Sequence, residues 1–431
     1  MKILVYGINY YPELTGIGKY TTEMCEWLVQ QGHQIEVISA LPYYPEWRVH
    51  AGYRHKGWHS ETINGVKVHR GPFYVPKNVN GYTRLVHEFS FLASSAISWI
   101  KKLPRNFDLV LCIYPPLPIG IFPLLAKWLR GTPYVFHIQD LQVDAARQLG
   151  IIRREGLLRF LENFERYFMR RADLVTTISE GMKAKVLAKG VAKEKLRLFP
   201  NWVDTATLYP YEKEEKDSLK EKYGYNSWDK VVLYSGNIGR KQGLDTLLNT
   251  AAMAEERGLD LHFFIVGEGA AKRELLAQKE ELRLSHVRFA PLVPKEELPD
   301  LLNMADLHVI LQKKGATDLV MPSKLSGILA CGGVPLVAAE EGSGLRRLIE
   351  KEKLGVCADA ENEPGLLYAL RQYFEQEPAH SYAYHARSYA QQHMSIESLL
   401  PRFEAYLYEL SGQIVVGEPA NSYNTRLGSR F

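Results

Sequence analysis

Residues 231–248 read VVLYSGNIGRKQGLDTLL. Val231 to Tyr234 form a short apolar run of strand length; Ser-Gly, a basic pair and another Gly follow, and apolar residues then return at helical spacing. Gly236, Gly239 and Gly243 let the backbone come close to a bound group, and the new helix presents free N–H groups at its start. Arg240 and Lys241 add two positive charges at the same spot. Backbone donors, a helix dipole and two cations together suit a phosphate or diphosphate. A solvated βα loop has a similar composition, so the neighbouring segments decide between the two.

Residues 261–275, LHFFIVGEGAAKREL, repeat the pattern: an apolar strand ends in Gly267-x-Gly269 and opens into a helix, as a nucleotide-binding βα turn does. Residues 319–339, LVMPSKLSGILACGGVPLVAA, place Pro322 and Ser323 where a helix begins and Gly332-Gly333 where it ends. The N–H groups of Ser323, Lys324 and Leu325 are expected to point at an anion. Three strand ends, each followed by an anion-friendly helix start, favour a nucleotide site in this half.

The order strand–GNIGRKQG–helix, strand–GEG–helix, PSKL–helix–GGVPLV resembles the donor-binding half of a retaining glycosyltransferase of GT-B architecture, family 4-like. The similarity continues in YYPELTGIGKYTTEMCEWLVQQGHQIEVIS (10–39), FHIQDLQVD (136–144), TTISEGMK (176–183) and PNWVD (200–204), covering nearly the whole chain. Within that superfamily the chain is most similar to bacterial exopolysaccharide enzymes of the colanic-acid type, for which a deoxyhexose such as fucose, from GDP-fucose, is a typical donor. The resemblance implies two facing Rossmann-like domains and transfer with retention from a nucleotide diphosphate sugar to a lipid-diphosphate-linked sugar. It needs no metal and no cofactor. Residue by residue it implies a catalytic set of His137, Arg240 and Lys241. Donor binding falls to Gly236, Gly267, Gly269, Leu292, Asp318, Ser323, Lys324 and Leu325, and a loop between acceptor and donor phosphate to Gly16, Gly18, Lys19 and Asp140.

The chain departs from the family pattern at three places. Gln242 stands where many relatives have a lysine before the last loop glycine, and Lys241 comes one residue earlier. The two glutamates spaced around the Pro-Ser-Lys helix would fall at Leu319 and Gly327, so the ribose must be held differently here. Asp318, beside the first position, is left to contact the donor sugar. His137 follows from the strand YVFHIQ, whose carboxyl end is where open α/β sheets bind ligands. The family match favours a positioning role there over a satisfied histidine in a βα loop.

Alternating strands and helices predict doubly wound parallel sheets. The expected domains are an N-terminal acceptor-binding domain over 1–205, a donor-binding domain over 206–375, C-terminal helices over 376–411 packing back on the first, and a loose tail over 412–431. Residues 1–205 contain 27 Lys+Arg and 17 Asp+Glu, net +10; the remainder contains 26 and 32, net −6. A basic first half suits an anionic membrane surface or lipid diphosphate. No nucleic-acid recognition module is visible. Residues 81–105, GYTRLVHEFSFLASSAISWIKKLPR, join apolar to basic residues as an interfacial helix would. A core-packed helix has the same pattern and is preferred.

Cys25, Cys112, Cys331 and Cys357 are scattered, and no Asp-x-Asp pair or Cys/His cluster occurs, so neither a disulfide framework nor a metal is expected. No secretory signal or spanning run is evident, and the expected location is cytoplasmic, peripheral at the inner membrane face. An NAD-dependent oxidoreductase is disfavoured, since after Gly7 the next glycine is Gly16. A nucleotide-sugar epimerase of the same architecture and a non-catalytic sugar-nucleotide sensor are the remaining alternatives.

Overall fold

The computed structural model describes residues 1–13, 16–148, 152, 154–314, 322–376 and 379–412. The chain divides into two compact units, one of residues 1–178, 182–199 and 400 onward, the other of 179–181 and 200–399.

The first unit is built on eight strands: β1 (Lys2–Tyr6), β2 (Gln34–Ala40), β3 (His59–Ile63), β4 (Val66–Gly71), β5 (Leu109–Tyr114), β6 (Tyr134–Ile138), β7 (Leu174–Thr177) and β8 (Leu196–Leu198). Their spatial order is β3-β4-β2-β1-β5-β6-β7-β8. All pairings are parallel except β3 with β4. That hairpin turns at Asn64-Gly65, both at positive φ (47° and 82°), the conformation a two-residue turn requires. β5 and β6 are buried along their whole length, as expected of central parallel strands covered on both faces. The chain leaves β1 toward β2 on one side and returns through β5 on the other, so a crevice opens at the carboxyl ends of β1 and β5.

The second unit holds β9 (Lys230–Ser235), β10 (Leu261–Val266), β11 (Val287–Ala290), β12 (Leu307–Leu311), β13 (Pro335–Ala338) and β14 (Val356–Ala358), in the order β11-β10-β9-β12-β13-β14. Every pairing is parallel. The strand order reverses between β9 and β12, which brings the loops after β9, β10 and β12 to one edge.

The C-terminal helices divide differently from the sequence expectation. The helix Ala379–His393 belongs to the second unit, because Ala386 and Ala390 are buried in its core. Arg387 also donates to the carbonyls of Ala330 (2.6 Å), Leu208 (2.8 Å) and Thr205 (3.0 Å). Only from Leu400 does the chain belong to the first unit. There Phe403 stacks on Phe199 at 4.0 Å and Glu404 binds the His33 ring at 2.7 Å.

Candidate functional site

In the second unit three strand-end loops are joined by backbone hydrogen bonds. Gly236 N–H donates to Val266 (2.9 Å), Ile238 N–H to Glu268 (2.8 Å), Ala271 N–H to Ile238 (3.0 Å) and Gly267 N–H to Ala290 (3.0 Å). The glycines are fixed by this packing. A Cβ on Gly267 would lie 1.9 Å from the Gly236 carbonyl oxygen, and one on Gly269 2.2 Å from that of Ile238. Gly236 itself has φ of +140°, and a Cβ there would meet the end of Lys324 at 3.4 Å.

Lys324 comes from the first turn of the helix Ser323–Ala330 and reaches across to this loop. Its ammonium lies 3.6 Å from the centroid of the Tyr234 ring. Burial pushes its pKa down to about 7, since a desolvated ammonium sheds its proton readily. Arg240 is on the rim, three-quarters exposed and ion-paired with Glu274. Lys313 donates to Asp245 at 3.1 Å and Lys272 to the Gly267 carbonyl at 3.1 Å. This edge therefore carries a partly buried lysine, backbone turns, the exposed Arg240 and the half-buried Lys272 and Lys313, a composition suited to a bound diphosphate.

The first unit has a cavity of about 510 Å³ at the carboxyl ends of β1 and β5. Tyr43, Tyr44, Trp47 and His87 give it aromatic walls, and Arg84, Glu88 and Asp140 supply charge. Glu13, itself buried, fastens one side: it accepts the N–H groups of Tyr43 (2.7 Å) and Tyr44 (2.8 Å) and the Asn9 amide (2.8 Å). Burial raises the pKa values of Glu88 and Asp140. Glu88 accepts the Leu117 N–H at 3.0 Å and faces Arg84 at 3.4 Å. His87 is 1% exposed and its Nδ1 bonds the Tyr74 carbonyl at 2.7 Å. Nδ1 must then carry the proton, and burial holds the pKa near 4, so Nε2 keeps a lone pair; that nitrogen is buried with no hydrogen-bond partner among the described residues. Aromatic faces beside carboxylates and one free acceptor nitrogen suit a polyhydroxylated ring.

The sequence of this chain matches two family models in succession: a glycosyl transferase 4-like domain over residues 15–202 and glycosyl transferases group 1 over residues 215–392. It is 39% identical over 408 residues to the putative colanic acid biosynthesis glycosyl transferase WcaI of Escherichia coli (strain K12), spanning 94% of this chain and 98% of that protein. The chain belongs to the glycosyltransferases. It is also 23% identical to N-acetyl-alpha-D-glucosaminyl L-malate synthase of Bacillus anthracis, over 95% of this chain and 98% of that one. Among solved structures, Anabaena HepE in complex with UDP superposes with a TM-score of 0.70 at 16% identity, covering 95% of this chain and all of that one. The fold is that of the GT-B glycosyltransferases.

Several residues assigned from sequence take other places in this glycosyltransferase. His137 lies within β6, 2% exposed. Its Nδ1 meets Thr176 Oγ1 at 2.8 Å, its Nε2 meets the Gln139 amide at 2.7 Å, and its ring packs 5.3 Å from Phe199. Both nitrogens are occupied and the pKa is pushed down to about 3 by burial. The structure places it in the core, pointing from the strand into the layer closed by Phe403. Leu325 is fully buried and its N–H bonds the Pro322 carbonyl at 3.0 Å, so its amide is not offered to an anion. Lys19 sits on the helix Gly16–Gln30, 3.9 Å from Glu23 and over the Tyr20 ring. A Cβ on Gly18 would press on the Glu13 carbonyl at 2.7 Å, so that glycine serves packing. Gly16 and Asp140 do meet, both lining the first-unit cavity. Leu292 is exposed beyond the end of β11. Ser323 is exposed at its helix start. Asp318 and the Lys241 side chain lie outside the described residues.

Glu13, Tyr43, Tyr44, Trp47, Arg84, His87 and Glu88 escaped the sequence reading. A signal was present: Tyr-Tyr-Pro-Glu occurs twice, at 10–13 and 43–46, and the first copy's Glu13 binds the second copy's backbone. Among the described residues one group is close enough to hold a metal ion: Asp260, His262 and His286, with ligand atoms within 4.8 Å of one another. It lies at the amino ends of β10 and β11, the edge opposite the glycine loops.

Proposed function

We propose that this glycosyltransferase moves a sugar, with retention and without a metal, from a nucleotide diphosphate donor held by the second unit to a lipid-diphosphate-linked saccharide. The proposed setting is exopolysaccharide synthesis of the colanic-acid type at the cytoplasmic face of the membrane. GDP-fucose is the proposed donor. The observation that carries the reading is the partly buried Lys324 ammonium laid against the Gly236 loop, where the leaving diphosphate gathers charge. Arg240 and Lys241 are proposed to close on the same phosphates. The likeness to WcaI supports the pathway, and HepE, crystallised with UDP and with UDP-glucose, supports a nucleotide-sugar donor.

Chemically, three tasks arise. Lys324 and the loop donors stabilise the departing diphosphate. The aromatic cavity holds the acceptor ring, with His87 Nε2 and the Glu88 and Asp140 carboxylates taking its hydroxyl groups. The acceptor proton passes to the departing phosphate, which leaves His137 free to be structural. An acceptor-sized cavity favours transfer over epimerisation, because an epimerase has no second sugar to hold.

The test is a thermal-shift screen with GDP and UDP, followed by assay with nucleotide sugars in the presence and absence of a lipid-linked saccharide. The expected result is a raised midpoint with one nucleotide, product only with acceptor, retained anomeric configuration by NMR, and activity in excess chelator. Hydrolysis or epimerisation without acceptor, or restorable loss of activity on chelation, overturns the reading.

A further inference from the structure

Strand order fixes where the helices of the first unit lie. The chain moves from β1 to β2 in one direction, but β4 to β5, β5 to β6 and β6 to β7 all run in the other. With right-handed crossovers, the helices Gly81–Lys102, Ile121–Arg130 and Glu155–Arg171 therefore share one face of the sheet. Their inner sides interlock: Trp99 stacks on Phe122 at 5.6 Å, and Phe168 packs on Gly120.

Their outer sides are also apolar. On the first helix Tyr82, Val86, Phe89, Ile97 and Ile100 fall at intervals of three, four and eight residues, a single stripe, and all are exposed. Leu125, Trp128 and Leu129 repeat this on the second helix, and Leu157, Phe160 and Tyr167 on the third. Tyr82 is 77% exposed, Ile100 71%, Trp128 61% and Phe160 61%. The core is already filled by Phe91, Trp99, Leu124, Leu161 and Phe168 from the same helices, so the outer stripes are surplus to folding. Patches of this kind mark an interaction surface.

Charge selects the occupant. The three helices contain nine Lys and Arg against four Glu; with Lys102, Glu88 and Glu165 buried and Arg84 turned into the cavity, seven cations face two acids on the outer surface. Apolar stripes set among cations match the acyl boundary and anionic head groups of a bilayer. Position agrees: Val79, half exposed, lines the aromatic cavity and immediately precedes the first of these helices. The same helix turns Arg84, His87 and Glu88 into the cavity and Tyr82, Val86 and Phe89 outward.

We propose that this three-helix face of the first unit docks on an anionic lipid surface and brings the mouth of the aromatic cavity to the level of the lipid head groups. The inference rests on the lipid-linked acceptor proposed above and assigns the surface that reaches it.

The full chain is compared with the combined variant Phe89→Glu, Trp128→Glu, Phe160→Glu, and with Tyr368→Glu, Tyr384→Glu, two exposed positions of the second unit. Binding is read by co-sedimentation with phosphatidylcholine vesicles with and without phosphatidylglycerol. Wild type and the second-unit variant are expected to bind the anionic vesicles and to release them with salt, while the three-helix variant binds about tenfold or more weakly. The three-helix variant should keep the wild-type melting temperature, nucleotide-induced shift and activity on a water-soluble acceptor, and lose activity on vesicle-embedded acceptor. Equal vesicle binding by all three proteins, or none by wild type, overturns the docking surface and leaves the transferase reading standing. So does a wild-type dimer that the three-helix variant converts to monomer. Activity on the soluble acceptor without any lipid-linked activity in wild type instead overturns the acceptor assignment.

Discussion

Lys324 joins the proton balance of the second unit to its ligand. Its ammonium is desolvated against Tyr234, and its pKa of about 7 leaves it half charged in neutral solution. A diphosphate placed at the Gly236 loop favours the charged form and pulls that pKa upward, so binding above pH 7 takes up a proton. Nucleoside diphosphate affinity is therefore expected to be flat below about pH 6.5 and to fall by up to about tenfold per pH unit above pH 7. Lys324→Met should flatten that dependence and lower kcat/KM by about 100-fold or more. Calorimetry in buffers of differing ionisation enthalpy checks it; affinity independent of pH in wild type would remove Lys324 from the phosphate site. Arg240 behaves differently because it is exposed and paired with Glu274. Arg240→Ala is expected to cost less than Lys324→Met, about tenfold in kcat/KM, and a larger loss would mean that it leaves Glu274 to bind phosphate. In the first-unit cavity, His87→Phe removes the free Nε2 acceptor and keeps the packing with Tyr43 and Phe73. It should raise KM for the acceptor and leave nucleotide affinity unchanged, which initial-rate kinetics will read.

At the level of elements, the glycine-rich turns show what a sequence pattern carries and what it lacks. Strand, Gly-x-Gly and helix over 261–275 are legible from apolar spacing, and β10 with the helix Lys272–Glu281 follow that reading. The reason for the glycines was not legible, because it lies in another segment: the carbonyls of Gly236 and Ile238 occupy the space a Cβ needs. Gly267→Ala is accordingly expected to destabilise the fold by about 1–3 kcal/mol, as overpacking does, and to weaken nucleotide binding by shifting the Gly236 loop. Chemical denaturation together with a thermal-shift titration checks both, and an unperturbed variant would mean that the loops are free to part. The first-unit cavity was missed for a related reason. Its residues come from five separate stretches that only the fold brings together. The helix Gly81–Lys102, expected to be core-packed, turns Phe91 and Trp99 in and leaves Phe89 and Ile100 exposed.

Across the whole molecule, each unit buries neutral histidines, and this ties stability to acid in a way that can test the role of His137. His137 and His87 in the first unit and His308 in the second have pKa values pushed down to about 3, 4 and 3 by burial. The unfolded chain takes up protons on these rings near the ordinary value of 6.5, whereas the folded chain does not. Each ring therefore contributes stability that is complete above about pH 6.5 and is lost as pH falls toward the folded value. The buried carboxyls Glu13, Glu88 and Glu165, with raised pKa values, act in the opposite sense, releasing stability as pH rises through their range. A comparison between wild type and a single variant separates one ring from this background. His137→Gln retains a polar group toward Thr176 and Gln139 and removes the titration. At pH 7.5 it should be less stable by about 1–3 kcal/mol, from lost packing on Phe199 and Phe403. Between pH 7.5 and 5 wild type should lose about 2 kcal/mol more than the variant, the linkage of one proton over that span. Urea denaturation at the two pH values reads both quantities, and initial rates at pH 7.5 should stay within about threefold of wild type, well short of the loss that follows removal of a transition-state contact. A variant that matches wild type in stability at both pH values but turns over a hundredfold more slowly would return His137 to the reacting centre.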